Sequence, residues 1–413
     1  MKILLINTGV QPELIHFAEF LQSNNKNFIY ATCSSISDTS RLLKNNLLPS
    51  KVRKLLRRRI IKIENKNIVR NFFFLEVVIY LTRERFVNLS RFFLSLRNFL
   101  FDVRVRFLVR QCEPTVIIQN ASLGYFTLKY GSRKKIPIIL SYPIAHHNWM
   151  KNIMKLEEIE NPTWAPYLQG GKLSRHRRNL LDKEIAIADL VLVGSTFVKN
   201  TFLEEGIFSE KLKIVPLGVS RIENYRAVGR KKLDDGNFVI LFMGQINQRK
   251  GLSYLLDGFQ KANFGTAAKL NLVGTLTMGQ SILKLIQNYE NVEYHDHVSR
   301  DDMKTIFNQS DVFILPSLAE GFPLTAIEAM SNGLPAIVSE NTFAYDVISN
   351  GINGSVIPSR NSDAIAEILK KLFEDRKLLH SMGENAQLTA SNYTWDKYSR
   401  ELYALVLSIC DHD

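Results

Sequence analysis

Two glutamates, Glu320 and Glu328, flank a helix start in the run Pro316-Ser317-Leu318-Ala319-Glu320-Gly321-Phe322-Pro323-Leu324-Thr325-Ala326-Ile327-Glu328-Ala329-Met330. A strand-like segment at 312–315 delivers Glu320 to a loop. Gly321 lets backbone approach closely, Pro323 suits the first helical turn, and Glu328 falls further along the helix. Free N–H groups after Gly321 and the positive end of the helix dipole suit a phosphate. That leaves Glu328 to accept from ribose hydroxyls and Glu320 to face whatever the phosphate carries. Glutamates beside a helix start are also ordinary dipole-complementing surface charges, so the pair needs support from elsewhere in the chain.

The spacing of these glutamates within E-G-F-P-x-x-x-x-E-A-M resembles the signature of retaining glycosyltransferases of GT-B architecture, family 4. A second stretch is similar to that family's phosphate-binding loop: a strand-like segment at 238–243, then Gly244-Gln245-Ile246-Asn247-Gln248-Arg249-Lys250-Gly251, then a long helix signal. The family carries an arginine where Gln245 stands, which leaves Lys250, with Arg249, as the cations facing a leaving diphosphate. The resemblance implies a nucleotide-diphosphate sugar as donor, with no separate cofactor and no metal. Its donor site would comprise Gly244, Arg249, Lys250, Gly321, Phe322, Leu324, Thr325 and Glu328. His297 would join them, from a loop whose backbone contacts the nucleobase. Catalysis would rest on Glu320, Lys250 and His146. The family keeps a histidine near the donor sugar, and Ser141-Tyr142-Pro143-Ile144-Ala145-His146-His147 offers two in adjacent registers. His146 is the closer match, and His147 is placed on the acceptor side.

The elements that must position these groups alternate. Strand-like segments at 3–6, 28–31, 116–118, 138–140 and 190–193 are separated by helix-like ones, the first from Glu13 towards Gln22. Short apolar strands between helices imply a doubly wound parallel sheet with ligands at the carboxyl ends of strands. Gly9 sits at such an end and is assigned to the acceptor side. The pattern restarts at Phe238 and repeats through 270–273, 292–294, 312–315, 336–338 and 356–357. The expected organisation is therefore an N-terminal Rossmann-like domain at 1–219, a polar linker at 220–236 and a nucleotide-sugar domain at 237–393. A last helix at 394–413 would cross back to the first domain, as in the family. Lys213-Ile214-Val215-Pro216-Leu217-Gly218-Val219 reads as the passage into the linker, and Ser195 as a helix cap.

At 413 residues the length suits two domains. No apolar run reaches the roughly 20 residues of a membrane span, and the first strand is too short for a signal-peptide core. Three widely spaced cysteines, Cys33, Cys112 and Cys410, argue against a disulfide framework. A cytoplasmic location is expected. The net charge of +13 is concentrated in an insert at about 41–110, where cations such as Arg53, Lys54, Arg57, Arg97, Arg104 and Arg106 share the stretch with phenylalanines from Phe72 onward. A helix with apolar residues at Phe86, Leu89, Phe93, Leu96, Leu100, Val103 and Phe107 would lay one face on its own domain and turn arginines outward. Its partner is an anionic membrane surface through 51–110, at the inner face of the cell membrane, or simply solvent. Nucleic acid is excluded for want of any recognition module.

Adjacent histidines without acids or cysteines at ligand spacing are a weak metal signal, and His295-Asp296-His297 and the terminal Cys410-Asp411-His412-Asp413 are no stronger. Beyond the transferase reading, with a saccharide or lipid-linked acceptor in cell-surface polysaccharide synthesis, two alternatives remain. One is a sugar-nucleotide epimerase on the same fold, which would act on its donor with no acceptor present. The other is a non-catalytic scaffold that has lost the site.

Overall fold

Apolar strands that alternate with helices must be covered on both faces, and they are. The computed structural model describes residues 1–8, 11–38, 50–57, 59–70, 72–82, 86–170, 173–219, 237–277, 280–296, 298 and 300–411. The first half contributes β1 (Ile3–Asn7), β2 (Phe28–Thr32), β3 (Ile36–Ser37), β4 (Ile60–Ile61), β5 (Ile68–Arg70), β6 (Val116–Asn120), β7 (Ile138–Ser141), β8 (Leu190–Val193) and β9 (Leu212–Ile214). Its helices are α1 (Pro12–Ser23), α2 (Ser50–Arg57), α3 (Phe73–Thr82), α4 (Val87–Cys112), α5 (Tyr125–Arg133), α6 (His147–Glu160), α7 (Arg175–Ile187) and α8 (Thr196–Glu204). The second half has β10 (Phe238–Met243), β11 (Ala268–Val273), β12 (Val292–His295), β13 (Val312–Leu315), β14 (Ala336–Ser339) and β15 (Gly354–Ile357). Its helices are α9 (Leu252–Ala262), α10 (Gln280–Ile286), α11 (Arg300–Asn308), α12 (Leu324–Ser331), α13 (Ala344–Val347), α14 (Ser362–Glu374), α15 (Arg376–Ala390) and α16 (Trp395–Cys410).

One large sheet runs β5-β2-β1-β6-β7-β8-β9, a second β12-β11-β10-β13-β14-β15, and β3 and β4 form a small pair of their own, with parallel pairing throughout. Strand order reverses between β1 and β6 in the first and between β10 and β13 in the second, which opens a ligand crevice at each carboxyl edge. The strands β5 and β9 extend the first sheet beyond the expected set. β9 overlaps the start of the stretch expected to lead into the linker, since Leu212, Lys213 and Ile214 pair with β8 before the chain leaves.

The helix α16 closes on the first sheet. Tyr398, Leu402 and Val406 pack with Leu14, Phe17 and Leu21 of α1, and Trp395 stacks on His16 with ring centroids 4.4 Å apart. Gly218 makes the approach possible, since a Cβ there would overlap the Thr394 and Trp395 backbone.

The insert differs from expectation in which face it buries. Among the described residues of α4, Ser90, Arg97, Phe101, Asp102, Val105, Leu108 and Val109 are buried, whereas Leu89 and Phe107, and Phe86 just before it, are exposed. Packing against the sheet selects the face at 97, 101, 105 and 108, which carries Arg97 beside three apolar residues, over the wholly apolar stripe. Arg97 is not a solvated cation: it forms a buried ion pair with Glu76, which Arg59 also approaches at 3.7 Å. Among the described residues no helix is long and apolar enough to cross a membrane. No disulfide joins Cys33, Cys112 and Cys410 among the described residues, and burial pushes the Cys33 thiol up to about 12. The expected linker at 220–236, Gly9, His297, His412 and Asp413 lie outside the described residues.

Candidate functional site

The strands β10 and β13 are neighbours, so the loops leaving their carboxyl ends meet. In the first loop Asn247 caps a short 3-10 turn, Gln248–Lys250, its Oδ1 accepting from the Lys250 N–H at 3.2 Å. Gly251 follows with φ +76°, and a Cβ there would overlap the Pro316 carbonyl, so the loop is seated on the start of the second. The Leu318 N–H donates to the Arg249 carbonyl at 2.8 Å and stitches the two together. Gly244, at φ +152°, leaves room for the Lys250 stem.

These contacts bring two cations onto one carboxylate. Lys250 Nζ lies 2.7 Å from Glu320 Oε1, and the Arg249 guanidinium pairs with the same oxygen while donating to the Ala319 carbonyl at 2.8 Å. All three side chains are nearly buried. Burial alone would raise the Glu320 carboxyl, but the Lys250 and Arg249 charges hold it below the usual carboxylate range. Burial also pulls the Lys250 ammonium down, against the opposing attraction of Glu320. Beside this surplus of positive charge starts α12, whose first residues Leu324 and Thr325 present N–H groups of the kind an anion takes up. Glu328 follows one turn later on the same helix.

Two residues expected at the donor have structural duties. A Cβ on Gly321 would overlap the Pro143 carbonyl, and its own carbonyl accepts from Ser195 Oγ at 2.8 Å. Ser195 caps α8 as expected, accepting from the Val198 N–H, and also clasps the second half. The Phe322 ring is buried against Phe343 and Tyr393, and its Cβ sits against Gly194, so packing, not ligand contact, explains its side chain. Asp346 of α13 completes the junction by accepting from the Thr196 N–H at 2.8 Å.

The histidine loop comes alongside: Ala145 packs with Leu318 and Ala319. His146 caps α6, its Nδ1 accepting from the Asn148 N–H at 3.3 Å, which assigns the ring hydrogen to Nε2. Burial, with the neighbouring His147 ring, pushes its imidazole down to about 3, so it is neutral at working pH. His147 is buried too. Its Nδ1 meets the Tyr142 hydroxyl at 3.1 Å, and Nε2 lies 2.9 Å from Asp182 Oδ1 without hydrogen-bond alignment. His146, His147 and Asp182 lie within 4.8 Å of one another, an acid that linear spacing did not reveal. His146 is a poor metal ligand here, because its one lone pair on the ring is already engaged by Asn148.

A third component went unnoticed in the sequence. Residues from the end of α6 onward reach across to the cation loop. Glu157 accepts from Gln248, Asn161 donates to Ser253 Oγ at 2.8 Å, and the Gln169 amide accepts from Asn247 at 3.1 Å. Trp164 and Tyr167 join the core of the second sheet. No periodicity announces such contacts; the clue was two uncharged amides, Asn247 and Gln248, placed among cations.

A cavity of 520 Å³ opens at the edge of the first sheet between α4, the β6–α5 loop and α7. Phe99 and Phe126 meet edge-on at its wall, 6.2 Å apart. Glu184 and Arg177 line it, with Glu184 accepting from the Ser122 N–H at 2.6 Å. Burial, aided by Asp102, raises the Glu184 carboxyl to about 7.

Residues 225–389 match the family described as glycosyl transferases group 1. A capsular polysaccharide biosynthesis glycosyltransferase of Staphylococcus aureus, CapM, is 35% identical over 167 residues, 39% of this chain and 43% of its own. Sucrose-phosphate synthase from Thermosynechococcus elongatus superposes with a TM-score of 0.67 at 16% identity over 100% of both chains. HepE of Anabaena, solved in complex with UDP and glucose, gives 0.64 at 17% identity over 99% of this chain and 100% of its own. The chain spans about half the length of the first curated relatives it matches, 43% and 51%. The structural likenesses show the fold: two Rossmann-like domains arranged as in GT-B proteins, with the last helix returned to the first.

Proposed function

We propose, from the match of residues 225–389 to the glycosyl transferases group 1, that the chain moves a sugar from a nucleoside diphosphate sugar to a hydroxyl acceptor, with retention at the anomeric carbon. The observation that carries this reading is the convergence of Lys250 and Arg249 on Glu320 beside the start of α12, with the loop that leads into His146 packed alongside through Ala145. An incoming diphosphate would draw both cations and the N–H groups of Leu324 and Thr325. Glu320 would then be released to a sugar hydroxyl, Glu328 would take the ribose, and His146 would donate from Nε2 to the sugar.

The reaction breaks the bond between the anomeric carbon and the phosphate oxygen, whose electron pair leaves on the diphosphate. The acceptor oxygen forms its bond on the same face, and its proton passes to the departing phosphate oxygen. Charge develops on the leaving group, so preorganised cations are the main source of acceleration. Lys250 and Arg249 fill that role without a metal ion.

The acceptor side is the first sheet. The 520 Å³ cavity, with aromatic walls and the polar groups of Arg177 and Glu184, suits part of a saccharide or glycolipid. Phe86, Phe92 and Phe99 are exposed along α4, as are Arg104, Arg106 and Arg110, so a lipid-linked acceptor at an anionic cytoplasmic leaflet is the version that uses this surface best. The part CapM plays in capsular polysaccharide biosynthesis points to a capsule or a similar surface polysaccharide.

The test is release of nucleoside diphosphate from UDP-, GDP- and dTDP-sugars, with and without a glycolipid extract. Release that requires the acceptor, with an α-linked donor giving an α-linked product, supports the reading. Conversion of the donor sugar with no acceptor would establish an epimerase, and no reaction with any donor would favour a scaffold.

A further inference from the structure

Glu157 is fully buried near the far end of α6, whose 14 residues span about 20 Å from the histidine pair. Four donors reach it. Oε1 accepts from Gln248 Nε2 at 2.7 Å and Asn161 Nδ2 at 3.2 Å, while Oε2 accepts from the Tyr254 hydroxyl at 2.8 Å and Arg360 Nε at 3.0 Å. A carboxylate has about four lone-pair sites, so this one is saturated, and a saturated buried network holds a single geometry.

What it holds is the turn that carries the cations. Gln248 is itself fully buried, donates a second hydrogen to Ser253 Oγ at 2.6 Å and accepts from the Ser253 N–H at 3.0 Å. In a 3-10 turn the three side chains point about 120° apart. With Gln248 pinned inward, Arg249 and Lys250 are directed to the other side, where both meet Glu320.

We infer that Glu157 is a positioning residue for the donor. By fixing Gln248 it aims Arg249 and Lys250 at the diphosphate, and through α6 it ties that aim to the loop of His146 and His147. The inference rests on reading the 244–251 loop as the donor site. The competing role, a staple between the two halves, is shared by Glu160, which pairs with the same Arg360 but has no bond to Gln248 among the contacts of the described residues.

The experiment measures calorimetric Kd for UDP, GDP and dTDP with the full chain, its Glu157→Gln and Gln248→Met variants, the double variant, and Glu160→Gln. Misplacing a charged group by about 1 Å can lower an enzyme's efficiency roughly 100-fold. Glu157→Gln and Gln248→Met should each weaken the binding diphosphate about 10- to 100-fold. The double variant should be no worse than the poorer single one, since both break one route. Donor KM should rise by the same factor, with acceptor KM unchanged, and Glu160→Gln should stay within about twofold of wild type. Binding unchanged in Gln248→Met, or weakened equally in Glu160→Gln, overturns the inference while leaving the donor reading intact. If the wild type binds none of the three, the donor reading fails and this inference with it. Should Glu157→Gln not fold, Gln248→Met decides alone.

Discussion

Replacing Lys250 by methionine keeps the length of the stem and removes only the ammonium. In the ligand-free protein that ammonium sits 2.7 Å from Glu320, which Arg249 also neutralises. The usual loss of 3–5 kcal/mol on breaking a buried pair comes from the partner left uncompensated, and Glu320 is not left so. The loss in folding stability should therefore stay below about 2 kcal/mol. The reaction is affected far more. A unit charge about 4 Å from a developing phosphate charge, at an effective dielectric of about 20, contributes about 4 kcal/mol. That agrees with the 10²- to 10³-fold loss seen when one preorganised donor to a developing oxyanion is removed. The assay is initial-rate release of nucleoside diphosphate at saturating donor, with a thermal melt confirming that Lys250→Met is folded. A folded variant whose kcat stays within about threefold of wild type would refute the assignment of Lys250 to the leaving group.

Two further perturbations follow from other parts of the molecule. Glu184 has its carboxyl raised to about 7 by burial and by Asp102, so the folded state holds its proton more tightly than the unfolded chain does. The associated stability is present below the unfolded value near 4.5 and lost as pH rises towards and through 7. Glu184→Gln should accordingly gain on wild type by about 2–3 kcal/mol more at pH 8 than at pH 4, read from melts at both values; an equal difference at both would contradict it. Gly218→Ala drives a Cβ into the backbone of Thr394 and Trp395. Overpacking of this kind costs about 1–3 kcal/mol, so the melting temperature should fall, and an unchanged one would mean that α16 is not seated as described.

Much of this architecture was legible before any coordinates, for reasons that are local. The strands at Leu190–Val193 and Val312–Leu315 are short apolar runs bounded by polar turns, and they fall where that pattern put them. The 244–251 loop and the start of α12 were readable because glycine, proline and clustered charge have strong positional meanings. Which face α4 buries was not readable, since the more apolar stripe is the one left partly exposed and the buried face carries Arg97, whose partner Glu76 comes from another helix. Nor were Ser195 on Gly321 and Glu157 on Gln248, contacts between distant segments that leave no periodic trace. Gly321 shows the middle case. Its need for close approach was plain, but the structure reveals that a backbone carbonyl of the first half, Pro143, makes that approach.

The measurement that bears most directly on a nucleoside diphosphate sugar seated between Lys250 and Glu328 is thermal stabilisation by a panel of nucleoside diphosphates and their sugars, for the wild type and Glu328→Ala. A ligand at about 100 times its Kd adds roughly 2.7 kcal/mol to the stability of the form that binds it. The account predicts a clear upward shift with one diphosphate and its sugar, lost in Glu328→Ala. A wild type that melts at the same temperature with every member of the panel, or a shift that survives intact in Glu328→Ala, would contradict it.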